Sequence, residues 1–132
     1  MEITVMQEQG RIPVSVLYVA GRTDSASVEE FREKVMEVID GGARYLVLDL
    51  SKMPYISSAG LRVLQEVFNR LRSLSNDGSD KEMYRGINDG SFKSPHLKLL
   101  NPTKEVLEVL KMSGFDMLVS IETDLKTAVA AF

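Results

Sequence analysis

The stretch Asp49-Leu50-Ser51-Lys52-Met53-Pro54-Tyr55-Ile56-Ser57-Ser58-Ala59-Gly60-Leu61-Arg62-Val63-Leu64 joins two kinds of order. Just before and into it, Tyr45-Leu46-Val47-Leu48-Asp49-Leu50 is almost entirely apolar, as expected of a central strand covered on both faces. A polar turn containing Pro54 comes next, and then two serines. Beyond them Leu61, Leu64, Phe68 and Leu71 recur at spacings of three and four, with Val67 and Leu74 beside them. That is the apolar stripe of an amphipathic helix. A buried strand therefore ends, the chain turns over a sheet edge, and Ser57-Ser58 open a helix.

Upstream, Ile3 and Val5 alternate, Gln9-Gly10-Arg11 supplies turn chemistry, and Val14-Ser15-Val16-Leu17-Tyr18-Val19 forms a second run. Two such runs across a short glycine-containing turn read as a hairpin. From Val28 the period becomes helical through Phe31, Val35, Val38 and Ile39. Ser27 and Glu30 have the spacing of a capping box, and Gly41-Gly42 ends the helix. Downstream, residues 75–95 are rich in Ser, Asp, Lys and Gly, with turn-forming Asn76-Asp77-Gly78 and Asn88-Asp89-Gly90. They read as a flexible surface insertion, with Met83, Tyr84, Ile87 and Phe92 able to fold over the domain or touch a partner.

Leu97-Lys98-Leu99-Leu100 is a short strand, and Asn101-Pro102 reads as a helix cap and first helical residue. Val106, Leu107 and Leu110 give the stripe of that helix, which Gly114 closes. Residues 117–121 form a last strand, and a short helix capped at Thr123 runs to the end. The expected fold is α/β: a mixed, mostly parallel sheet of about five strands with about four helices and an N-terminal β-hairpin. Residues 1–132 are expected to form one domain.

Composition narrows the function classes. The 132 residues are 44% hydrophobic, enough for a packed core, and their net charge of -3 comes from interspersed acids and bases. No basic stripe points to nucleic acid, and no apolar run approaches the roughly 20 residues of a membrane span. Without cysteine there is no disulfide or thiolate chemistry, and the single histidine, His96, lacks the second imidazole that a histidine metal site needs. No cofactor is expected. The N-terminus lacks a secretory pattern, so the cytoplasm is the expected compartment.

Helix starts leave backbone N–H groups unpaired and carry positive partial charge, so a serine at position 57 or 58 caps the helix or carries a phosphate there. Gly60 permits a close approach by another part of a chain. A hydrolase elbow would need G-x-S-x-G and a histidine base, and nothing places His96 near these serines. The acids Asp77, Asp80, Glu82 and Asp89 lack the order of a calcium loop. Arg22, Arg62, Arg70 and Arg72 read as solvated salt-bridge partners.

The run from Asp49 to Leu64 resembles the signature of the STAS domain family, which includes bacterial anti-sigma factor antagonists. Gly21-Arg22-Thr23-Asp24, Gly41-Gly42, residues 97–102, Gly114-Phe115 and Thr123-Asp124 extend the resemblance over nearly the whole chain. It implies an anti-sigma factor serine/threonine kinase as partner, a phosphorylated serine at Ser58, and partner docking through Asp24, Ser57, Ser58, Ala59, Gly60 and Leu61. Aspartate often stands in such relatives where this chain has Ser57. Ser57 therefore either replaces that acid, competes as the acceptor, or marks a divergent branch. The alternative within the family is a subunit of a sensory or lipid-transport assembly that is not phosphorylated. A small serine hydrolase using His96 is the enzyme alternative.

Overall fold

A computed structural model describes residues 1–24, 26–75 and 80–132, and the side chains of all of these but residues 80 and 81. Five strands, β1 (Glu2–Gln9), β2 (Pro13–Ala20), β3 (Leu46–Lys52), β4 (Leu97–Leu100) and β5 (Ser120–Glu122), lie side by side in chain order. The first two form an antiparallel hairpin in which Glu2 faces Ala20 and Gln9 faces Pro13. Every later pairing is parallel.

Chain-order strands with right-handed crossovers put every crossover helix on the same face of the sheet. That face packs against α1 (Val28–Asp40), α2 (Ser58–Ser75) and α4 (Lys104–Ser113). Leu17 and Val19 of β2, Leu46, Leu48 and Leu50 of β3, and Leu97 and Leu99 of β4 meet Phe31, Val35, Leu64, Phe68, Val106 and Leu110 there. The alternate residues Val14, Val16, Val47 and Leu100 point to the other face, where Ala128 and Val129 of α5 (Leu125–Ala130) cover them. Burial on both faces explains the nearly unbroken apolar run of β3.

The insertion departs from the sequence expectation. Residues 80–89 form a helix, α3 (Asp80–Asp89), where a surface loop is expected, so the described residues hold five α-helices instead of about four. Met83 and Phe92 pack against the main core, and Phe92 meets the ring of Phe68 edge-on at 6.1 Å. Gly86 allows this closure, because a Cβ there would stand 2.8 Å from that of Phe92. Gly90, with φ of 78°, ends the helix, and Asp89 Oδ1 accepts from the N–H of Ser91 at 2.9 Å. The segment thus folds over the domain through Met83 and Phe92, while Tyr84 stays 60% exposed. The turn at Asn76-Asp77-Gly78 lies outside the described residues.

Three helix caps also differ in detail, although α1 begins after Ser27 as expected. Ser27 makes no side-chain cap bond, so the Ser27–Glu30 capping box does not form. Thr103, not Asn101, caps α4 and accepts from Val106 N–H at 3.3 Å. Asn101 instead adopts φ of 49° and donates its N–H to Glu122 of β5, so it finishes the β4 edge before the helix begins. Asp124, not Thr123, caps α5 through Thr127 N–H at 2.9 Å. The last strand is confined to residues 120–122, because residues 115–117 wind into a 3₁₀ turn after Gly114.

Candidate functional site

The parallel strands β2 and β3 end at the same sheet edge, and the chain leaves each through a short loop. Thr23, after β2, and Ile56, after β3, form one isolated parallel bridge. Both are buried, Thr23 completely. The bridge fixes the register of the residues after it, placing Ser57 against the Thr23 backbone.

Ser57 is the N-cap of α2. Its carbonyl accepts from Leu61 N–H at 2.9 Å, and its Oγ accepts from Gly60 N–H at 3.1 Å. The same hydroxyl donates to the Thr23 carbonyl, and Ser57 N–H donates to Thr23 Oγ1 at 3.2 Å. Backbone and hydroxyl of Ser57 are both spent on structure. Gly60 completes the latch, since a Cβ there would lie 2.7 Å from Thr23 Cβ and 2.9 Å from Ile56 Cγ1. The close approach that Gly60 permits is therefore made by this chain's own Thr23 and Ile56.

Ser58 is the first residue inside α2, and its side chain is exposed. Among the described residues its hydroxyl has no hydrogen-bond partner. The two adjacent serines thus have different chemistry: one is a closed cap and the other an open alcohol. Toward the Gly60 N–H, Ser57 accepts as an aspartate cap would, but its donation to the Thr23 carbonyl needs a hydroxyl.

The remaining residues expected to dock a partner separate by exposure. Ala59 and Leu61 are partly buried and pack against the main core, and Gly60 is buried. Asp24 is exposed, but Oδ1 accepts from the N–H groups of Ala26 and Ser27, each at 3.0 Å, and from Ser27 Oγ at 3.1 Å. The Ser27 N–H, then its hydroxyl, then the Ala26 N–H hold the Asp24 carboxyl below its ordinary range, with the charge of Arg22 adding to them. The carboxylate organises the turn into α1.

Sequence reasoning missed two contributors. Thr23 is the latch partner, and no local pattern marks it. Arg22 stacks over Tyr55, its guanidinium carbon 5.6 Å from the ring centre, on the exposed side of the same bridge. Tyr55 is 39% exposed, so this pair forms the visible rim beside the α2 start. Arg70, by contrast, makes the surface ion pair expected of it, with Asp40 at 3.0 Å.

His96 stands at the opposite end of the strands. It precedes β4, its backbone carbonyl accepts from Leu46 N–H, and its Nδ1 lies 2.8 Å from the Arg44 carbonyl. A strand length, roughly 20 Å, separates that edge from Ser58. The geometry gives neither serine a histidine base.

Together these features define a class: an α/β domain with chain-order strands whose second crossover helix starts on a capped serine followed by an open one. The STAS domain profile matches residues 4–76, and the chain belongs to the STAS domain family. Over 132 residues, all of this chain and 95% of the other, it is 29% identical to a Bordetella bronchiseptica protein named as an anti-sigma factor antagonist, BtrV. Its fold is similar to that of an anti-sigma factor antagonist from Mycobacterium paratuberculosis, with a TM-score of 0.70 at 20% identity over 98% of this chain and 93% of that one. It is also similar to the anti-sigma factor antagonist SpoIIAA in its unphosphorylated form, with a TM-score of 0.65 at 18% identity over 96% and 93% of the two chains. The phosphorylated form of SpoIIAA, from Bacillus, gives a TM-score of 0.61 at 16% identity over 96% of each chain. Among the described residues, no helix is long and apolar enough to cross a membrane.

Proposed function

We propose that this STAS domain is an anti-sigma factor antagonist that binds an anti-sigma serine kinase and is switched off by phosphorylation of Ser58. The observation that carries the reading is the unequal pair. Ser57 is consumed by the Gly60 amide and the Thr23 carbonyl, whereas Ser58 is exposed with no hydrogen-bond partner among the described residues. The similarity to a protein named as an anti-sigma factor antagonist supports the regulatory class. That SpoIIAA has been solved with and without phosphate supports a fold that keeps its shape through the modification.

In this reading the unmodified domain, working as a single unit in the cytoplasm, sequesters the kinase and frees a sigma factor for transcription. The kinase then transfers the γ-phosphoryl group of ATP to Ser58 Oγ. An O–P bond forms, the β–γ bridge breaks, ADP leaves, and the serine proton is released. The docking surface gains about 1.5 to 2 negative charges at neutral pH. A first-turn anion is compatible with the helix, so the cost falls on the interface and not on the fold. A loss of about 3 kcal/mol would weaken docking roughly a hundredfold.

The test is incubation with the candidate kinase and ATP, followed by mass-spectrometric mapping of wild type, S57A and S58A. Phosphate should appear on wild type and S57A and be absent from S58A. Phosphate retained by S58A would move the switch elsewhere.

A further inference from the structure

Ser58 and Arg62 stand four residues apart on α2, both exposed, so their side chains share one face of the helix a turn apart. Arg22 lies in the other loop, and its guanidinium carbon is 5.6 Å from the ring centre of Tyr55, three residues before Ser58 in the chain. The bridge between Thr23 and Ile56 sets Arg22 beside Tyr55, where it stacks on the exposed ring. Neither arginine forms a salt bridge among the described residues, unlike Arg32 with Glu66 at 2.6 Å and Arg70 with Asp40 at 3.0 Å. Asp24 is the acid whose carboxyl feels Arg22, and its Oδ1 is already engaged by Ala26 and Ser27. Lys52, at the end of β3, and Lys104, at the start of α4, are further cations of this end of the sheet.

We infer that Arg62 and Arg22 form a clamp that binds the phosphate group once Ser58 carries one. This inference rests on the reading of Ser58 as the modified residue. Guanidinium groups match phosphate oxygens in planar, paired hydrogen bonds, and two of them can grip one phosphate from two elements. Arg62 approaches along the helix, and Arg22 approaches across the bridge from its platform on Tyr55. The phosphate then does more than add charge to a docking surface. It withdraws two cations from that surface, so a partner that meets Arg22 and Arg62 with acidic groups loses those contacts when the serine is modified. The clamp also gives Thr23 and Gly60 a second consequence, because their packing holds the Arg22 loop against the α2 start.

The full chain carrying genetically encoded phosphoserine at position 58 tests the clamp without any kinase. The readout is the second ionisation of the phosphate, followed by phosphorus NMR. Arginine partners favour the dianion, so this ionisation should occur roughly half a unit lower in the phosphorylated wild type than in phosphorylated R22Q/R62Q. Phosphorylated K111Q/K126Q, which removes two exposed lysines from other helices, should titrate like the wild type. Unchanged thermal midpoints of the unmodified variants would show that the fold is intact. Equal titration of wild type and R22Q/R62Q, or an equal shift in K111Q/K126Q, overturns the clamp. Kinase mapping that leaves Ser58 unmodified would instead overturn the reading of the switch, and the titration would still report on the clamp.

Discussion

The starts of α1 and α2 face each other across one sheet edge and are built from opposite materials. At α2 the cap lies in its own helix. Ser57 binds the Gly60 amide, and the same hydroxyl reaches a loop 34 residues away in sequence. At α1 Ser27 makes no side-chain cap bond to its helix, and the ordering group is the exposed carboxylate of Asp24, three residues earlier. One start is closed by packing and half-buried hydrogen bonds, and the other by a solvated acid. The difference teaches where a switch can sit. Under the proposed reading, a cap tied both to its own helix and to the Thr23 loop would let the neighbouring alcohol take a phosphate with little backbone movement.

The comparison breaks most sharply at Gly60. In G60A the new methyl would lie 2.7 Å from Thr23 Cβ and 2.9 Å from Ile56 Cγ1, and all three residues are buried. Overpacking of that kind costs about 3 kcal/mol, while the gain in helix propensity over glycine returns about 1. A net loss of about 2 kcal/mol is expected from urea unfolding. Wild-type stability in G60A would mean the latch is soft.

S57A should come second, at about 1.5 kcal/mol, because it removes the cap and strips the Thr23 carbonyl of its donor. S58A, one residue on, should stay within about 0.5 kcal/mol of wild type. Comparable losses in the two variants, measured by the same unfolding, would erase the distinction between cap and alcohol.

The reach of the sequence can be judged at these same residues. The stripes of α1 and α2 and the apolar run of β3 were legible because burial imposes a period on many residues at once. That serines open α2 was legible too, since helix starts favour them. Which serine is the cap was not, because Thr23 decides it from a distant loop through a backbone bridge. The α1 start falls at Ser27 as expected, but its capping box does not form, and the caps of α4 and α5 lie elsewhere for a related reason. Ser27, Asn101 and Thr123 all have the chemistry of a cap, but Ser27 holds the cap position without a side-chain bond to its helix while Asp24 orders the turn before it, and the backbone angles and neighbours select Thr103 and Asp124 as the caps of α4 and α5. The helix α3 was hidden because its buried contacts are few, with Gly86 contributing by having no side chain. The Arg22–Tyr55 pair was invisible, as two loops must first be brought together.

The smallest effect belongs to the α1 start and has a sign that can be worked out. Hydrogen bonds from Ser27 and Ala26 hold the Asp24 carboxyl below its ordinary range, so the folded state prefers it ionised. Its contribution is complete above the unfolded value of about 3.9 and is lost as pH falls through the lower folded value. Asp124, capping α5 through Thr127, is lowered in the same way and loses its contribution over the same acid range. Stability of the wild type should therefore decline as pH drops below about 4. D24N should decline less steeply, since asparagine retains an acceptor without the charge. The exposure of Asp24 keeps this effect below those at Gly60 and Ser57, which are buried and half-buried, so that water substitutes less readily for a lost contact. Urea midpoints at several pH values between neutral and acid would measure the two slopes. Parallel curves for D24N and wild type would show that the α1 start draws nothing from its carboxylate, and would leave the contrast with α2 resting on packing alone.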